Sequence, residues 1–461
     1  MNTNLWNVWI KYRQVTTDSR KAVKGQIFVA LKGERFNGND FALQALEQGA
    51  EAVVVDEDIP GAAKNDKLIR VDDSLKALQD LAREWRKTFS IPVIGISGSN
   101  GKTTTKELLR SVLSTTFKVH STKGNLNNHI GVPLTLLDLE ESHQISIVEM
   151  GANKPKDIQE VASFALPTAG LMTNVGFTHL DGMGSLDGVE ETEGELFAFL
   201  REHGGKGFVN EDDFRVARQA QALLYPLTYG GPHSDFQILT QKDTESGMHL
   251  KISSKYWKNE IAFSSVMTGR HNALNILAAV SVATHFGVSA ESLVAGVRDY
   301  VPSNNRSQWV EKPGKRIMLD AYNANPSSMQ ASVKAFLGLK PANAALILGD
   351  MFELGEMSAE LHAETGKFLN DFPGVKLILI GPEMKAAAGN CALPSTWFSS
   401  TDEAREKIST VLKDSQNILI KGSRLPWPHE PGHHAGPADP HLGLCATARR
   451  AGVGQQLHPR L

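Results

Sequence analysis

Cysteine is nearly missing from this chain, with Cys391 and Cys445 the two among 461 residues. Two cysteines cannot build a disulfide framework or a four-cysteine zinc site, so a reducing compartment is expected. Long apolar runs are missing as well: nowhere do 18 or more apolar residues stand together, which argues against a membrane-spanning segment. The opening residues Met1-Asn2-Thr3-Asn4-Leu5-Trp6-Asn7-Val8-Trp9-Ile10 have neither the cationic start nor the apolar stretch of a secretory signal. A cytoplasmic location is therefore expected. Charge of one sign is also lacking, since 48 Lys and Arg face 51 Asp and Glu for a formal charge of −3. Nothing in that balance calls for a nucleic-acid partner.

What is present is the composition of an ordinary globular protein, 41% hydrophobic and 21% charged. At roughly 150 residues per domain, the length implies about three domains. Apolar runs alternate with amphipathic stretches, the pattern of a parallel sheet with crossover helices, so the fold class is α/β. Expected buried strands are Ala52–Val55, Val93–Ser97, Ile145–Glu149, Gly170–Val175, Ile317–Asp320, Ala345–Gly349, Leu377–Ile380 and Ile418–Ile420. The clearest helix places Leu75, Leu78, Leu81 and Trp85 on one face, with Asp73 or Ser74 as its N-cap. Ser90-Ile91-Pro92 marks a break because the residue before proline avoids the helical region; Val301-Pro302-Ser303-Asn304-Asn305 marks another. Domains are accordingly expected at 1–89, 90–302 and 303–424. Residues 425–461 hold five of the 15 histidines and six of the 20 prolines without strand or helix periodicity, and they read as a disordered tail.

The segment Gly98-Ser99-Asn100-Gly101-Lys102-Thr103-Thr104 follows the apolar run Val93–Ser97 and precedes a helical stretch, Thr105–Leu113. Strand, glycine-rich turn and helix in that order aim backbone N–H groups and a helix N-terminus at one point, where a polyphosphate fits. In that reading Lys102 reaches the β- and γ-phosphates and the Thr103 hydroxyl is a ligand for Mg²⁺. The full Walker spacing is not met, because Ile96 stands where its first glycine would and Gly95 comes one position early. An ordinary strand-to-helix turn would account for Gly98 and Gly101 but not for Lys-Thr-Thr at a helix start. Nucleotide binding is the expectation.

In an open α/β sheet, ligands bind beyond the carboxyl ends of the strands. Glu149 ends one expected strand, and Asn174 closes the next and leads to His179; Asp320, Asp350 and Lys421 end strands of the third domain. Any one of them alone reads as a polar strand cap, and their repetition marks a crevice. Mg²⁺ takes oxygen ligands, commonly one or two carboxylates with phosphates and water. Glu149 with Thr103 would suit one ion, and His179 with Glu193 or Glu195, fourteen or sixteen residues on, a second. His179 by itself fits a hydrogen-bonded loop histidine equally well.

Together these segments resemble the Mur ligase family, ATP-dependent amide ligases of peptidoglycan precursor synthesis. The resemblance runs from about Thr17 to Arg424. It rests on Thr17-Asp18-Ser19-Arg20, Phe28-Val29-Ala30-Leu31-Lys32-Gly33, the phosphate loop, Gly124-Asn125-Leu126-Asn127-Asn128, Glu149-Met150-Gly151-Ala152-Asn153 and Gly269-Arg270-His271-Asn272-Ala273-Leu274-Asn275. Three further segments resemble the member that adds D-alanyl-D-alanine to UDP-N-acetylmuramoyl-tripeptide: Asn127-Asn128-His129-Ile130-Gly131-Val132-Pro133, Asp320-Ala321-Tyr322-Asn323-Ala324-Asn325-Pro326 and Gly349-Asp350-Met351-Phe352-Glu353-Leu354-Gly355.

The resemblance implies an N-terminal UDP-sugar-binding α/β domain, a central P-loop-type parallel-sheet domain carrying ATP and Mg²⁺, and a C-terminal Rossmann-like α/β domain that closes over the nucleotide. It implies nucleotide contacts at Gly98, Asn100, Gly101, Lys102, Thr103 and Thr104, with His271, Asn272 and Asn275 on the adenine side and Arg306 and Asp320 at phosphate and ribose. Substrate contacts are implied at Ser19 and Arg20, at Asn125, Asn127 and Asn128, and at Tyr322, Asn323 and Asn325. Lys102, Glu149, His179 and Glu193 are the implied catalytic residues, and Thr103, Glu149, His179 and Glu193 the implied metal positions. The chemistry implied is phosphorylation of the tripeptide's terminal carboxylate to an acyl phosphate, which the incoming amine then attacks. A monomer acting on small molecules is expected.

Two departures from the family pattern stand out. The family usually has a carbamoylated lysine fourteen residues after the metal histidine, and this chain has Glu193, which is expected to supply the negative charge without carbamoylation. The Pro/His-rich stretch after Lys421-Gly422-Ser423-Arg424 is the other, and with it the third domain is expected to lack its last helix or strand. The competing readings are another amide ligase of this architecture, of the folylpolyglutamate synthase or cyanophycin synthetase kind, and a nucleotide-binding scaffold without ligase activity. Thr17–Gly33 argues against the first, which has no use for a UDP-sugar docking domain.

Overall fold

Uninterrupted apolar strands need cover on both faces of their sheet, and that requirement sets the middle of the molecule. The computed structural model describes residues 2–20, 24–34, 36–61, 65–221 and 223–423, so the expected tail 425–461 lies outside the described residues. Val93–Ser97, Ile145–Glu149 and Ala169–Met172 are buried along their whole length. They sit inside a nine-stranded sheet with the spatial order Ile261–Ser265, Gly247–Ser254, Phe236–Thr244, Leu227–Tyr229, Lys206–Asn210, Ala169–Met172, Val93–Ser97, Ile145–Glu149, Val119–Ser121. Strands from Phe236–Thr244 onward in that order are parallel, and the other two extend the sheet antiparallel.

A four-stranded parallel sheet precedes this one, in the order Val15–Thr16, Ile27–Val29, Ala52–Val55, Leu68–Arg70. A six-stranded sheet follows, ordered Gln308–Lys312, Lys315–Asp320, Asn417–Lys421, Ala344–Gly349, Lys376–Ile380, Ser395–Phe398, with Gln308–Lys312 antiparallel at its edge. Helix Ser74–Lys87 seats the first sheet on the central one. Asp73 caps it, accepting the Lys76 N–H at 2.8 Å, and its buried face carries Leu78, Leu81 and Trp85. Trp85 packs edge-on against Trp9 and Phe89, and its indole N–H reaches the Leu139 carbonyl at 3.2 Å. Burying each such side chain contributes on the order of 1.5–3 kcal/mol.

Four expected strands of the third domain extend by one or two residues, to Lys315–Asp320, Ala344–Gly349, Lys376–Ile380 and Asn417–Lys421, and two boundaries at the loop move for a local reason. The helix after the phosphate loop is Lys102–Leu113 rather than starting at Thr105, because Gly101 adopts φ 82 and lets the helix begin at once. The expected strand Gly170–Val175 is Ala169–Met172: the Thr173 N–H makes a last bond to the Ser97 carbonyl, and the Thr173 and Asn174 side chains then bond the loop at Asn100. Asn174 thus stands beyond its strand rather than closing it. After Val93–Ser97 the chain crosses to Val119–Ser121 on one side, and after Ala169–Met172 to Lys206–Asn210 on the other. Neighbouring strands whose connections diverge open a crevice at their carboxyl ends, and the glycine-rich loop fills that position. No helix among the described residues is long and apolar enough to cross a membrane.

Candidate active site

Gly98 and Gly101 hold left-handed backbone, with φ 118 and 82. A side chain at Gly98 would meet Thr173 Oγ1 at 2.2 Å, and one at Gly101 would meet Asn275 Oδ1 at 2.7 Å, so both positions require glycine. Bonds from behind fix the turn. The Gly98 N–H donates to Glu193 Oε2 at 2.6 Å, the Ser99 N–H to the Asn174 carbonyl at 2.9 Å and the Asn100 N–H to Asn174 Oδ1 at 3.1 Å. Thr173 Oγ1 and Asn174 Nδ2 donate to the Asn100 carbonyl at 2.7 and 2.9 Å. The start of helix Lys102–Leu113 is left without a side-chain cap. Its first-turn N–H groups and positive dipole end are therefore open to an anion. Lys102 Nζ donates to the Gly98 carbonyl and stands 3.9 Å from Glu193 Oε1.

Beside this loop Glu149 is buried, 2% exposed. Its Oε1 accepts from Thr103 Oγ1 at 3.0 Å and Asn127 Nδ2 at 2.8 Å, and Lys106 Nζ lies 3.4 Å from its Oε2. Burial pushes this carboxyl up, but the charges of Lys106, Arg306 and Lys102 outweigh it and hold the group below the usual carboxylate range. Asn128 Oδ1 takes the N–H groups of Ile130 and Gly131 at 3.1 and 2.8 Å, which orders the segment next to Asn127.

The third domain supplies the opposite wall. Asp320 Oδ2 accepts Lys421 Nζ at 2.8 Å and the Ser332 hydroxyl, and its Oδ1 accepts the Ser307 N–H at 3.1 Å. Burial opposes ionisation here too, yet Lys421 and Ser332 bring the carboxyl down to about 2. Burial lowers the pKa of the nearby His271. Asn272 Nδ2 donates to the Thr268 carbonyl at 2.9 Å and to Ser307 Oγ at 3.2 Å, and Arg306 lies over the Tyr322 ring at 3.9 Å. Asn325 caps helix Pro326–Gly338 and donates from Nδ2 to Asn100 Oδ1 at 2.8 Å; Asn100 Nδ2 in turn donates to Ser327 Oγ at 3.1 Å. The tip of the phosphate loop is thus bonded to the third domain.

One cavity of about 940 Å³ runs between these walls, and every expected site residue lines it except Gly98, Glu193, Glu195, Asp350, Ser19 and Arg20. Gly98 and Glu193 hold the loop from behind, with Glu193 1% exposed. Ser19 and Arg20 lie in the first domain, in a turn where Asp18 Oδ1 accepts the Arg20 N–H at 3.1 Å. The structure gives the expected metal residues different protein partners. Thr103 and Glu149 meet, whereas His179 is turned to Glu353, Nδ1 to Oε2 at 2.6 Å, and Glu193 to Gly98. Glu195 is elsewhere, accepting the N–H groups of Lys156 and Gln159 at 2.8 Å each at the start of helix Asp157–Ala165. Among the described residues no three His, Cys, Asp or Glu side chains form a ready-made metal group.

Two charged residues of the site, Lys106 and Glu353, have no role assigned from the sequence, and neither do the hydroxyl partners Ser307, Ser327 and Ser332. Lys106 could have been found from its spacing of four to Lys102, which puts both on one helix face. Glu353 stands within Gly349–Gly355, but nothing local announces its partner His179.

Three domain families match the chain in succession: the Mur ligase family catalytic domain over residues 11–86, the Mur ligase middle domain over 96–283, and the Mur ligase glutamate ligase domain over 305–424. A protein of Bacillus subtilis (strain 168) named UDP-N-acetylmuramoyl-tripeptide–D-alanyl-D-alanine ligase is 37% identical over 359 residues, 77% of each chain. The chain belongs to the Mur ligase family. Among solved structures, this Mur ligase is similar to MurF from Acinetobacter baumannii with a TM-score of 0.83 at 29% identity, covering 89% of this chain and 90% of that one. It is similar also to MurF ligase from Thermotoga maritima in complex with ADP, with a TM-score of 0.80 at 28% identity, covering 92% and 95%.

Proposed function

We propose that this Mur ligase uses ATP to join D-alanyl-D-alanine to UDP-N-acetylmuramoyl-tripeptide, forming the pentapeptide precursor of peptidoglycan in the cytoplasm. The observation that carries the reading is an uncapped helix start with Lys102, opening into a cavity whose far wall belongs to the third domain. The names of its relatives in Bacillus subtilis and Acinetobacter baumannii support it. The chain works as a monomer of three domains, 1–89, 90–302 and 303–424, with Ser19 and Arg20 docking the UDP-sugar.

A carboxylate is a poor electrophile, so the tripeptide carboxylate oxygen first attacks the γ-phosphorus of ATP and ADP leaves. The amine of D-alanyl-D-alanine then attacks the acyl carbon, loses its proton, and phosphate departs. Two anions must meet in the first step. Lys102 and the first-turn N–H groups of helix Lys102–Leu113 offset that repulsion. Asn325 and Ser327, bonded to Asn100, bring the third domain over the reacting groups and exclude water that would hydrolyse the acyl phosphate. The oxygen donors here suit a hard cation: Glu149 Oε2 and Glu193 Oε1 are buried without hydrogen-bond partners, and the Thr103 hydroxyl lies beside Glu149. Thr103 and Glu149 would hold Mg²⁺, with His179 at the same cavity and Glu193 behind the loop, and the ion would supply charge neutralisation at the phosphates.

The deciding experiment is phosphate release from ATP. Release that requires both UDP-N-acetylmuramoyl-tripeptide and D-alanyl-D-alanine, and that falls by about 10²–10³ in Lys102→Ala with the circular dichroism unchanged, is the expected result. ATP binding without such release would leave a scaffold instead.

A further inference from the structure

Helix Lys102–Leu113 carries a second lysine on the face of the first. The mechanism above does not use it. Lys106 is fully buried, its side chain 0% exposed, which is unfavourable for a cation unless its charge is matched. Three acceptors surround the ammonium: Glu149 Oε2 at 3.4 Å, Glu107 Oε1 at 3.3 Å and the Gly124 carbonyl at 3.5 Å. Glu107 is already engaged by Arg110 at 2.9 Å through its other oxygen and is partly exposed, so the buried counter-charge is Glu149. From the other side, Glu149 Oε1 is satisfied by Thr103 and Asn127, whereas Oε2 has no hydrogen bond and has Lys106 as its ionic neighbour.

We propose that Lys106 is a resident counter-ion that neutralises Glu149 in the empty site, so that a divalent cation binds weakly by itself and enters together with the nucleotide's phosphates. The proposal rests on the reading of Thr103 and Glu149 as the magnesium ligands. Two ammonium groups, Lys102 and Lys106, face two buried carboxylates, Glu149 and Glu193, with Arg306 also acting on Glu149. A divalent ion arriving alone adds unmatched positive charge to a site whose carboxylates already face cations, and buried charges are poorly screened. An ion chelated by a triphosphate brings its own negative charge and avoids that penalty. Lys106 is on this account a positioning residue, acting through Glu149 rather than touching substrate.

Electron paramagnetic resonance of Mn²⁺ with the full chain measures this directly, without turnover. Wild-type protein and Lys106→Arg are expected to bind Mn²⁺ weakly without nucleotide, and Lys106→Met about tenfold more tightly, because the ion then replaces the missing charge. Thermal unfolding should agree, with Lys106→Met destabilised in chelator and recovering as Mn²⁺ is added. Removing both charges, in Lys106→Met with Glu149→Gln, should restore the fold and abolish Mn²⁺ binding. Equal Mn²⁺ affinity in wild type and Lys106→Met would overturn the counter-ion role, as would a double variant no more stable than the single one. If Mn²⁺ fails to tighten ATP binding to the wild-type protein, the magnesium reading itself falls, which separates the two failures.

Discussion

Glu193 stands where the family resemblance places a carbamoylated lysine, and its surroundings show what a shorter acid does there. The carboxylate is buried against the glycine-rich loop, holding the Gly98 N–H at 2.6 Å with one oxygen while the other faces Lys102 at 3.9 Å. Its backbone carbonyl also takes the Ser97 hydroxyl at 2.9 Å, so the residue ties the end of strand Val93–Ser97 to the turn that follows. Because the negative charge is built in, ligation should be indifferent to added bicarbonate. Glu193→Gln keeps an acceptor for Gly98 and removes the charge; it should slow ligation by about tenfold, and Glu193→Ala by more, in line with losing a charge-assisted hydrogen bond. Steady-state rates with and without bicarbonate check this, and strong bicarbonate activation, or full activity in Glu193→Ala, would remove the idea.

Strand ends set the opposite wall, and there the sequence pattern and the structure can be compared element by element. Asp320 and Lys421 end neighbouring parallel strands in register and meet side chain to side chain at 2.8 Å. The Asp320 carboxyl, at about 2, lies below the value near 4 that it has when unfolded. The folded-state pKa is the lower one, so this pair's stabilisation is fully present above about pH 4 and is lost as pH falls toward about 2, about 2 kcal/mol in all. Lys421→Met should remove that slope and, by leaving Asp320 buried and unpaired, destabilise the protein by about 3 kcal/mol near neutral pH. Urea midpoints across that pH range test both points. The strand Lys315–Asp320 was itself legible because its Ile317, Met318 and Leu319 are buried in an unbroken apolar run. Gly247–Ser254 was not, since exposed His249 and Lys251 alternate with buried Met248, Leu250 and Ile252, nor was Phe236–Thr244, in which Phe236 alone is buried and polar residues break the apolar pattern. Ile27–Val29 was missed for its brevity, three residues long. The same division applies to the site. The Gly-Lys-Thr loop and Glu149 carry their chemistry in local sequence, while the Lys106–Glu149 and His179–Glu353 pairs join residues far apart in the chain, and no local pattern encodes which acid meets which base.

At the scale of the whole molecule the cavity belongs to two domains, and its geometry depends on how they are held together. Besides the bonds of Asn100 to Asn325 and Ser327, of Asn272 to Ser307 and of Arg316 to the Glu245 carbonyl, two contacts centred on Glu353 span them. The Leu180 N–H donates to the Glu353 carbonyl at 2.8 Å, and His179 Nδ1 meets Glu353 Oε2 at 2.6 Å. His179 and Glu353 both sit in left-handed backbone, φ 50 and 64, an arrangement that surrounding structure must maintain in residues other than glycine. The hydrogen bond from His179, acting against burial, holds the Glu353 carboxyl below its usual range, so the acid is ionised where it meets the ring. Glu353 is 50% exposed at its side chain, however, so solvent screens the pair and its coupling should be modest, about 0.5–1 kcal/mol. A contact of that size cannot hold the domains shut by itself but can bias a hinge that opens for product release. Glu353→Gln and His179→Asn should each slow ligation by about twofold to fivefold. Because each removes the same contact, the double variant should be little slower than the slower single one, and small-angle scattering with a non-hydrolysable ATP analogue should show all three variants more open than the wild type. Rate losses that simply multiply, with no change in scattering, would mean that the two residues act separately and that closure is governed by the other interdomain bonds, those of Asn100, Asn272 and Arg316.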